Sequence, residues 1–239
     1  MINYKLKGMG VALITPFNAD ESINYDTLAR LIEYQIKNGT DYLVVCGTTA
    51  ETPTLTDQEK EEIRKFVIQI NQKRLPIVYG IGGNNTKHVV DIIRNTDLNG
   101  VDAILSVTPY YNKPSQEGLY RHYAAIAEAS PLPVILYNVP GRTGVNMSAA
   151  TTLRLANDFP NIQATKEASG NFTQIDDIIK NKPADFMVIS GDDGITFPLI
   201  TLGAVGVISV IGNAFPKEFS RMVRLALEGD YEKARIIHH

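Results

Sequence analysis

Eight short apolar runs, each followed by a segment of helical periodicity, are the feature of this chain that most constrains its fold. The runs are rich in β-branched residues and almost continuously apolar, which is typical of parallel strands covered on both faces. They occupy residues 11–14, 42–45, 76–80, 101–107, 133–137, 162–165, 186–190 and 205–210. The spacing predicts eight parallel strands in a chain of 239 residues.

Helices are predicted between the strands. A first amphipathic helix carries Leu28 and Ile32 on one face, and a second follows the capping-box pair Thr56 and Glu59. Four further helices are predicted to start at residues that can cap a first turn: Thr86, Ser115, Ser148 and Asn171. Three glycines stand where helices are predicted to end: Gly39, Gly100 and Gly229.

This alternation favours an α/β fold of the (β/α)8, or TIM, barrel type over residues 1–229. An open doubly wound sheet is the alternative, because alternation alone does not show closure. Asp230 is predicted to cap another helix. We interpret residues 230–239 as the start of a truncated C-terminal helical region.

Composition and charge exclude several classes of function. The chain is 44% hydrophobic, which suffices for a globular core, and its net charge of -3 gives no reason to expect binding to nucleic acid or an anionic membrane. No apolar run approaches the roughly 18 residues of a membrane span. The single cysteine, Cys46, excludes an intramolecular disulfide, and the first residues lack a secretory signal. We expect a cytoplasmic protein with a small-molecule ligand.

Polar residues directly after the predicted strands are the candidates for chemistry, because the active site of such a barrel lies at the carboxyl ends of its strands. Lys166 follows the sixth run. Partial desolvation there would lower its pKa and leave a neutral amine that can attack a ketone to form a Schiff base. The alternative is a lysine that reaches solvent at the rim or pairs with Glu167.

Hydroxyl and guanidinium groups follow other strands. Tyr137 is predicted at the level of Lys166 on the neighbouring strand, where Thr48 and Tyr111 would orient its phenol in a proton relay. Arg142 is suited to holding a carboxylate through two parallel hydrogen bonds. Taken singly, these residues are more typical of rim aromatics, a capping threonine and a solvated arginine than of an active site.

Metal and nucleotide chemistry find less support. The histidines lack acidic or cysteine partners at metal-ligand spacing, and Cys46 lies in an apolar run as a packed thiol would. The glycine-rich segment 80–86 matches neither the P-loop nor the dinucleotide fingerprint, so we interpret it as a tight turn before a helix. We predict no metal and no cofactor.

Five spaced motifs together resemble the dihydrodipicolinate synthase (4-hydroxy-tetrahydrodipicolinate synthase) family, within the superfamily of pyruvate-dependent class I aldolases. They are GTTAE at 47–51, TPYYN at 108–112, ILYNVPGRTG at 135–144, KEASG at 166–170 and SGDD at 190–193. The resemblance runs from the first strand to residue 239. It implies a lyase that condenses pyruvate with aspartate semialdehyde in diaminopimelate and lysine biosynthesis.

The resemblance also implies catalytic roles. Lys166 would carry the covalent pyruvate Schiff base, and Tyr137, Thr48 and Tyr111 would form the proton relay. The family tyrosine at the position of Tyr111 reaches into the site of a neighbouring subunit. A homo-oligomer, either a dimer or a tetramer, is therefore expected.

Substrate-binding roles are implied for four further positions. Thr49 would bind the pyruvate carboxylate, and Arg142 the carboxylate of the semialdehyde. Carbonyl groups near Gly191 and Ile208 would face the site. The family usually has glycine at the position of Ala50, so the turn there must keep a negative φ or accept modest strain.

A regulatory site for lysine is implied in part. Asn84 and Tyr110 fit the family pattern, whereas lysine-inhibited relatives carry an acid at the position of His88 and histidines at the positions of Asp57 and Lys60. We therefore expect lysine to inhibit weakly or not at all. A steady-state assay with added lysine measures this, and strong inhibition would contradict the expectation.

Two other functions stay open. Another pyruvate lyase, such as an N-acetylneuraminate lyase or a keto-deoxy sugar acid aldolase, would share the lysine and the tyrosine, but Arg142 favours an aldehyde that bears a carboxylate. The second is a catalytically silent barrel, since a fold alone does not establish activity. We also expect the C-terminal helical domain of the family to be largely absent from this chain.

Overall fold

A computed structural model describes residues 6–239 and shows a closed barrel of eight parallel strands surrounded by helices. The strands are β1 (Gly8–Ala12), β2 (Tyr42–Val45), β3 (Ile77–Gly80), β4 (Ala103–Val107), β5 (Val134–Asn138), β6 (Ile162–Glu167), β7 (Met187–Ser190) and β8 (Gly206–Ser209). Each pairs with the next along the chain, and β8 pairs with β1. Because an open sheet would leave two edges unpaired, the predicted TIM barrel is confirmed.

The first strand is the one whose position differs most from the prediction. It was expected at residues 11–14 but spans Gly8–Ala12. Gly10 belongs to the strand because the ring of Tyr42 on β2 lies against it, and a Cβ at this position would come 2.1 Å from Tyr42 Cε2. Gly10 is therefore the site of a close approach between two strands.

Ten α-helices lie within residues 6–239. They are α1 (Tyr25–Lys37), α2 (Asp57–Asn71), α3 (Thr86–Asn95), α4 (Gln116–Ala129), α5 (Pro140–Thr143), α6 (Ala149–Asp158), α7 (Phe172–Asn181), α8 (Thr196–Leu202), α9 (Pro216–Glu228) and α10 (Tyr231–His238). None of them is both long enough and apolar enough to cross a membrane. The predicted absence of a secretory signal concerns residues that lie mostly outside the described part of the chain.

Most predicted helix starts are confirmed. The capping box before α2 is complete: Glu59 N–H donates to Thr56 Oγ1 at 3.2 Å, and Thr56 N–H donates to Glu59 Oε2 at 2.7 Å. Ser115, Ser148 and Asn171 cap α4, α6 and α7 as expected, and Asp230 caps α10.

One predicted start is displaced by one residue. Asn85, not Thr86, caps α3 by accepting a hydrogen bond from His88 N–H at 3.2 Å. The Thr86 hydroxyl instead lies 2.8 Å from Nδ1 of His122 on α4, so its side chain joins two helices.

The predicted helix ends are confirmed in two of three cases. Gly229, with a φ of +86, caps the C-terminus of α9. Gly39, with a φ of +88, directly follows Asn38, which caps the C-terminus of α1. Gly100 is not at a helix end, because α3 stops at Asn95 with Thr96 as its cap. Gly100 lies in the loop before β4, where its φ is +84.

Two apolar regions result from the alternation of side chains along the strands. One lies between the strands and the surrounding helices, and the other fills the barrel interior with residues such as Ile135, Tyr137, Ala164 and Ile189. Since Lys166 is two residues beyond Ala164 on β6, its side chain belongs to the interior face. The alternation of side chains along β6 thus places the Lys166 side chain in the apolar interior of the barrel.

Closure between β8 and β1 depends on the absence of a side chain at Gly206, which pairs with Gly8. A Cβ at Gly206, whose φ is +151, would lie 1.9 Å from the Gly8 carbonyl oxygen. We expect Gly206→Ala to lower the free energy of unfolding by roughly 2 kcal/mol or more, because it combines backbone strain with an overlap. Urea unfolding followed by circular dichroism measures this.

The matched control is Gly141→Ala, where a Cβ would meet nothing within 4 Å. Equal urea midpoints for the two variants would contradict the role of Gly206 in closure.

Candidate active site

Lys166 lies near the carboxyl end of β6 and is 5% exposed. It is in register with Tyr137 on β5 and Ile189 on β7, and its Nζ is 4.3 Å from the centre of the Tyr137 ring. Gly191 leaves room for this side chain, since a Cβ there would come 3.0 Å from Lys166 Cε. The predicted neighbours Lys166, Tyr137 and Gly191 are therefore brought together.

Burial lowers the pKa of Lys166 to about 8. The negative charge of Asp193 opposes this shift, and the positive charge of Arg142 adds to it. With a pKa near that value, about one lysine in ten is neutral at pH 7, far more than for an amine in water. The site therefore maintains a usable population of nucleophilic amine.

Glu167 does not pair with Lys166. Adjacent strand residues point to opposite faces, and the Glu167 carboxylate accepts hydrogen bonds from Asn138 Nδ2 at 3.0 Å, Ser169 N–H at 3.0 Å and Gln174 Nε2 at 3.3 Å. Burial raises the pKa of Glu167, and these hydrogen bonds counter that effect. The alternative of a Lys166–Glu167 pair is wrong, and Glu167 instead ties the loop after β6 to its neighbours.

Tyr137 and Thr48 form the part of the predicted relay that a single chain contains. Tyr137 is 6% exposed, and burial raises the pKa of its phenol. A hydrogen bond from the Thr48 side chain and the charge of Arg142 act in the opposite direction. Thr48 begins a 3-10 turn, Thr48–Ala50, directly after β2 and faces the same opening. A phenol beside a lysine amine, with a hydroxyl behind it, can pass a proton in either direction.

Tyr111 lies apart from this cluster. It is 85% exposed, and its φ of +75 is uncommon for a residue with a bulky side chain. Nothing within the described chain brings it to Lys166. Its predicted place in the site of a neighbouring subunit stays a prediction.

A cavity of about 680 Å³ opens at the carboxyl ends of the strands. Thr48, Tyr137 and Arg142 all line it. Arg142, on α5 directly after β5, is exposed, and its guanidinium forms no ion pair with any residue in the range 6–239. It is available to an anionic ligand.

The other predicted substrate contacts lie close to this group without lining the cavity. Thr49 is half-buried in the turn beside Thr48, and Ile208 is 1% exposed on β8 in the barrel interior. Ala50 has a negative φ, which is one of the two outcomes expected for this turn. A positive φ, +56, occurs instead at the next residue, Glu51. Cys46 is the packed thiol that was expected, and burial raises its pKa to about 12.

Two of the three predicted regulatory residues line the same cavity, which extends into a groove between α2 and α3. Asn84 Nδ2 donates to the Tyr110 carbonyl at 3.2 Å, and Tyr110 and His88 line the cavity. Lys60 and Asp57, which also line it, pair at 3.0 Å. The sequence suggested two separate sites, whereas one cavity contacts residues of both, Tyr137 and Arg142 as well as Tyr110 and His88; Lys166 does not line it.

Asp193 is the charged residue that the sequence analysis missed. The SGDD motif at 190–193 drew attention to the end of β7, but no feature of the sequence showed which acid would act on Lys166. The signal was present only as a second carboxylate after Gly191, in the segment that follows the strand next to that of the lysine.

The model of the Dihydrodipicolinate synthetase family matches residues 5–239. The chain belongs to this family. It is 69% identical over 239 residues to the 4-hydroxy-tetrahydrodipicolinate synthase of Parabacteroides distasonis, a match that covers 100% of this chain and 80% of that one. The prediction of a lyase of the dihydrodipicolinate synthase family is confirmed.

Solved structures of the family agree with the fold. The dihydrodipicolinate synthase from Aquifex aeolicus is similar with a TM-score of 0.94 and 44% identity, over 98% of this chain and 79% of that one. The chloride-inhibited dihydrodipicolinate synthase from Acinetobacter baumannii, complexed with pyruvate, is similar with a TM-score of 0.94 and 42% identity, over 98% and 80% of the two chains.

The lowered pKa of Lys166 predicts unusual reactivity. Reductive methylation with formaldehyde and cyanoborohydride, followed by peptide mapping over a pH series, should reach half of its maximum at Lys166 near pH 8. In urea-unfolded protein the same lysine should require a higher pH, because desolvation no longer disfavours its protonated form.

Lys217, which is exposed on α9, serves to correct for loss of reagent. If the Lys166 profiles of folded and unfolded protein coincide, the amine is not desolvated as described.

Proposed function

We propose that this chain joins pyruvate to L-aspartate 4-semialdehyde through a Schiff base on Lys166, the reaction of a 4-hydroxy-tetrahydrodipicolinate synthase in the diaminopimelate route to lysine. The observation that carries the proposal is the buried amine of Lys166 beside the Tyr137 phenol. Membership of the family and the pyruvate complex of the Acinetobacter baumannii relative support it.

In the first step the neutral Lys166 amine attacks the ketone carbon of pyruvate and forms a carbinolamine. Loss of water then needs a proton on the departing hydroxyl. Tyr137 is placed to donate that proton, and Thr48, which is hydrogen-bonded to it, connects the phenol to the opening of the site. The product of this step is a protonated imine on the lysine nitrogen, with one water released.

In the second step the imine loses a proton from the pyruvate methyl group and becomes an enamine. The enamine carbon attacks the aldehyde carbon, and the aldehyde oxygen takes up a proton. The raised pKa of Tyr137 suits this task, since the phenol stays protonated between transfers and gives up its proton only to a stronger base. No metal or organic cofactor is part of the proposed reaction, because the lysine nitrogen itself accepts the electrons.

The aldehyde substrate is proposed from Arg142. Its guanidinium, which forms no ion pair within residues 6–239, lines the same cavity as Tyr137, so a carboxylate on the aldehyde would gain charge-assisted hydrogen bonds there. Thr49 and the carbonyls near Gly191 and Ile208 are proposed to hold the pyruvate end. A polyhydroxylated sugar aldehyde would leave the guanidinium without an anionic partner.

An assembly of two or four chains is part of the proposal, as is a cytoplasmic location. Tyr111 supports the assembly: it is 85% exposed in a strained loop conformation next to the half-exposed Tyr110. Two adjacent exposed aromatic side chains at the mouth of a barrel are typical of residues that are covered when subunits associate. A dimer would then be the smallest unit with a complete proton relay.

Borohydride trapping with pyruvate tests the Schiff base directly. Intact mass and peptide mapping should show one reduced adduct on Lys166, and none in Lys166→Ala. Lys60→Ala is a matched control because Lys60 lines the cavity of Tyr137 and Arg142 but lies on α2, outside the barrel interior; this variant should form the adduct.

Turnover with different aldehydes then identifies the second substrate. Arg142→Gln should raise the KM for aspartate semialdehyde by roughly 10- to 100-fold, the loss expected for hydrogen bonds to a charged group, while pyruvate trapping persists. An adduct combined with turnover of N-acetylmannosamine or glyceraldehyde alone would assign a sugar acid lyase instead. No adduct in the wild-type protein would favour a silent barrel.

A further inference from the structure

Asp193 is held in a fixed position between two strand ends. It begins a 3-10 turn, Asp193–Ile195, shortly after β7. Its Oδ2 accepts hydrogen bonds from the backbone N–H groups of Val210 at 3.0 Å and Ile211 at 2.8 Å, both directly after β8. Two donors from another loop leave this oxygen little freedom to move.

The other oxygen of the same carboxylate has no partner. Asp193 Oδ1 is buried, and no donor within residues 6–239 hydrogen-bonds to it. A buried carboxylate oxygen without a donor is costly, and in native proteins such an atom calls for a specific explanation. The hydrogen bonds to the loop after β8 account for the position of Oδ2 but not for that of Oδ1.

The charged groups around Lys166 indicate a role for Oδ1 of Asp193. Asp193 is the acid whose negative charge acts on Lys166, Arg142 is a nearby cation, and Tyr137 is the neighbouring phenol. Glu167 is engaged on the opposite face of β6. Asp193 and Lys166 form no direct ion pair, so a reacting group bonded to the lysine nitrogen can lie within the field of the carboxylate.

We propose that Asp193 is a positioning residue that provides the counter-charge for the Lys166 nitrogen while that nitrogen is a protonated imine. The inference rests on the proposed Schiff-base function. Formation of the imine joins the amine and the ketone, takes up one proton and releases one water, so a positive charge appears in a site where burial disfavours it. That charge must persist, because the protonated imine is the form that readily loses its methyl proton.

The fixed geometry makes this role effective. A dipole or charge that is already oriented before the reaction stabilises a developing charge without the cost of reorganisation. The two amides after β8 orient Asp193, which lies two residues beyond Gly191, the glycine packed against the Lys166 side chain. This orientation does not depend on pyruvate. The neighbouring Asp192 differs, since it is exposed and its Oδ1 caps the turn by accepting from Gly194 N–H at 2.9 Å.

Asp193→Asn tests the proposal, because asparagine keeps an oxygen for the two amides and removes the charge. Half-saturation of borohydride trapping by pyruvate should require roughly tenfold more pyruvate, the effect of one nearby charge at an intermediate effective dielectric. Without pyruvate, the pH midpoint of Lys166 methylation should fall, since the residue that opposes its desolvation is lost. Asp192→Asn, which also preserves a cap, should change neither quantity.

The two measurements separate the possible results. An Asp193→Asn protein whose pH midpoint equals that of the wild type overturns the proposal, even if trapping weakens, because a purely structural role would leave the midpoint unchanged. A lowered midpoint together with weaker trapping supports it. Failure of the Schiff-base function is seen separately as an absence of adduct in the wild type, whereas the midpoint is measured without pyruvate.

Discussion

The desolvation of one amine is the constraint on which the rest of the site depends. Lys166 is 5% exposed in the interior of a barrel that is otherwise filled with apolar side chains. Because its pKa is lower in the folded than in the unfolded protein, the unfolded state binds more protons, and the lysine reduces stability. That cost is full below about pH 8 and declines as the pH rises towards the value of an unfolded lysine. The burial that lowers the stability of the fold is thus the same burial that makes the lysine nitrogen reactive.

Neighbouring elements turn this unfavourable burial into a defined environment. Gly191 gives the lysine side chain its space, Tyr137 places a phenol at the same level, and Arg142 contributes a positive charge from the next loop. Asp193 contributes the opposite charge. Tyr137 and Arg142 come from the end of β5, and Gly191 and Asp193 from the end of β7, the two strands that flank β6. The closed pairing of β1 to β8 holds these ends at fixed distances. The rigidity of the barrel is therefore a condition of the chemistry.

The sequence predicted the architecture because hydrophobic periodicity and capping residues are local signals. Capping by Thr56 and Ser115 could be predicted from a few residues, whereas the position of β1 could not, since Gly10 is required by contact with Tyr42 more than thirty residues away. The meeting of Lys166 and Tyr137 followed from adjacent strands that end at one level. The assignment of Thr86 as a cap failed because its hydroxyl has a partner on another helix.

Parts of the site depend on information that no local pattern carries. The position of Asp193 is set by backbone amides of the loop after β8, so its effect on Lys166 exists only after the barrel has closed. Tyr111 would acquire a role only from a second chain. For the same reason the resemblance to the family suggested residues for the site but not their mutual arrangement.

The cavity that opens at Tyr137 continues to His88 in the groove between α2 and α3. Its two ends therefore share one body of solvent. A charged molecule that entered the groove would displace water and alter the electrostatic potential along the whole passage, without any movement of a helix or strand. In this fold, a ligand in the groove and the Tyr137 phenol would be coupled through the medium between them alone.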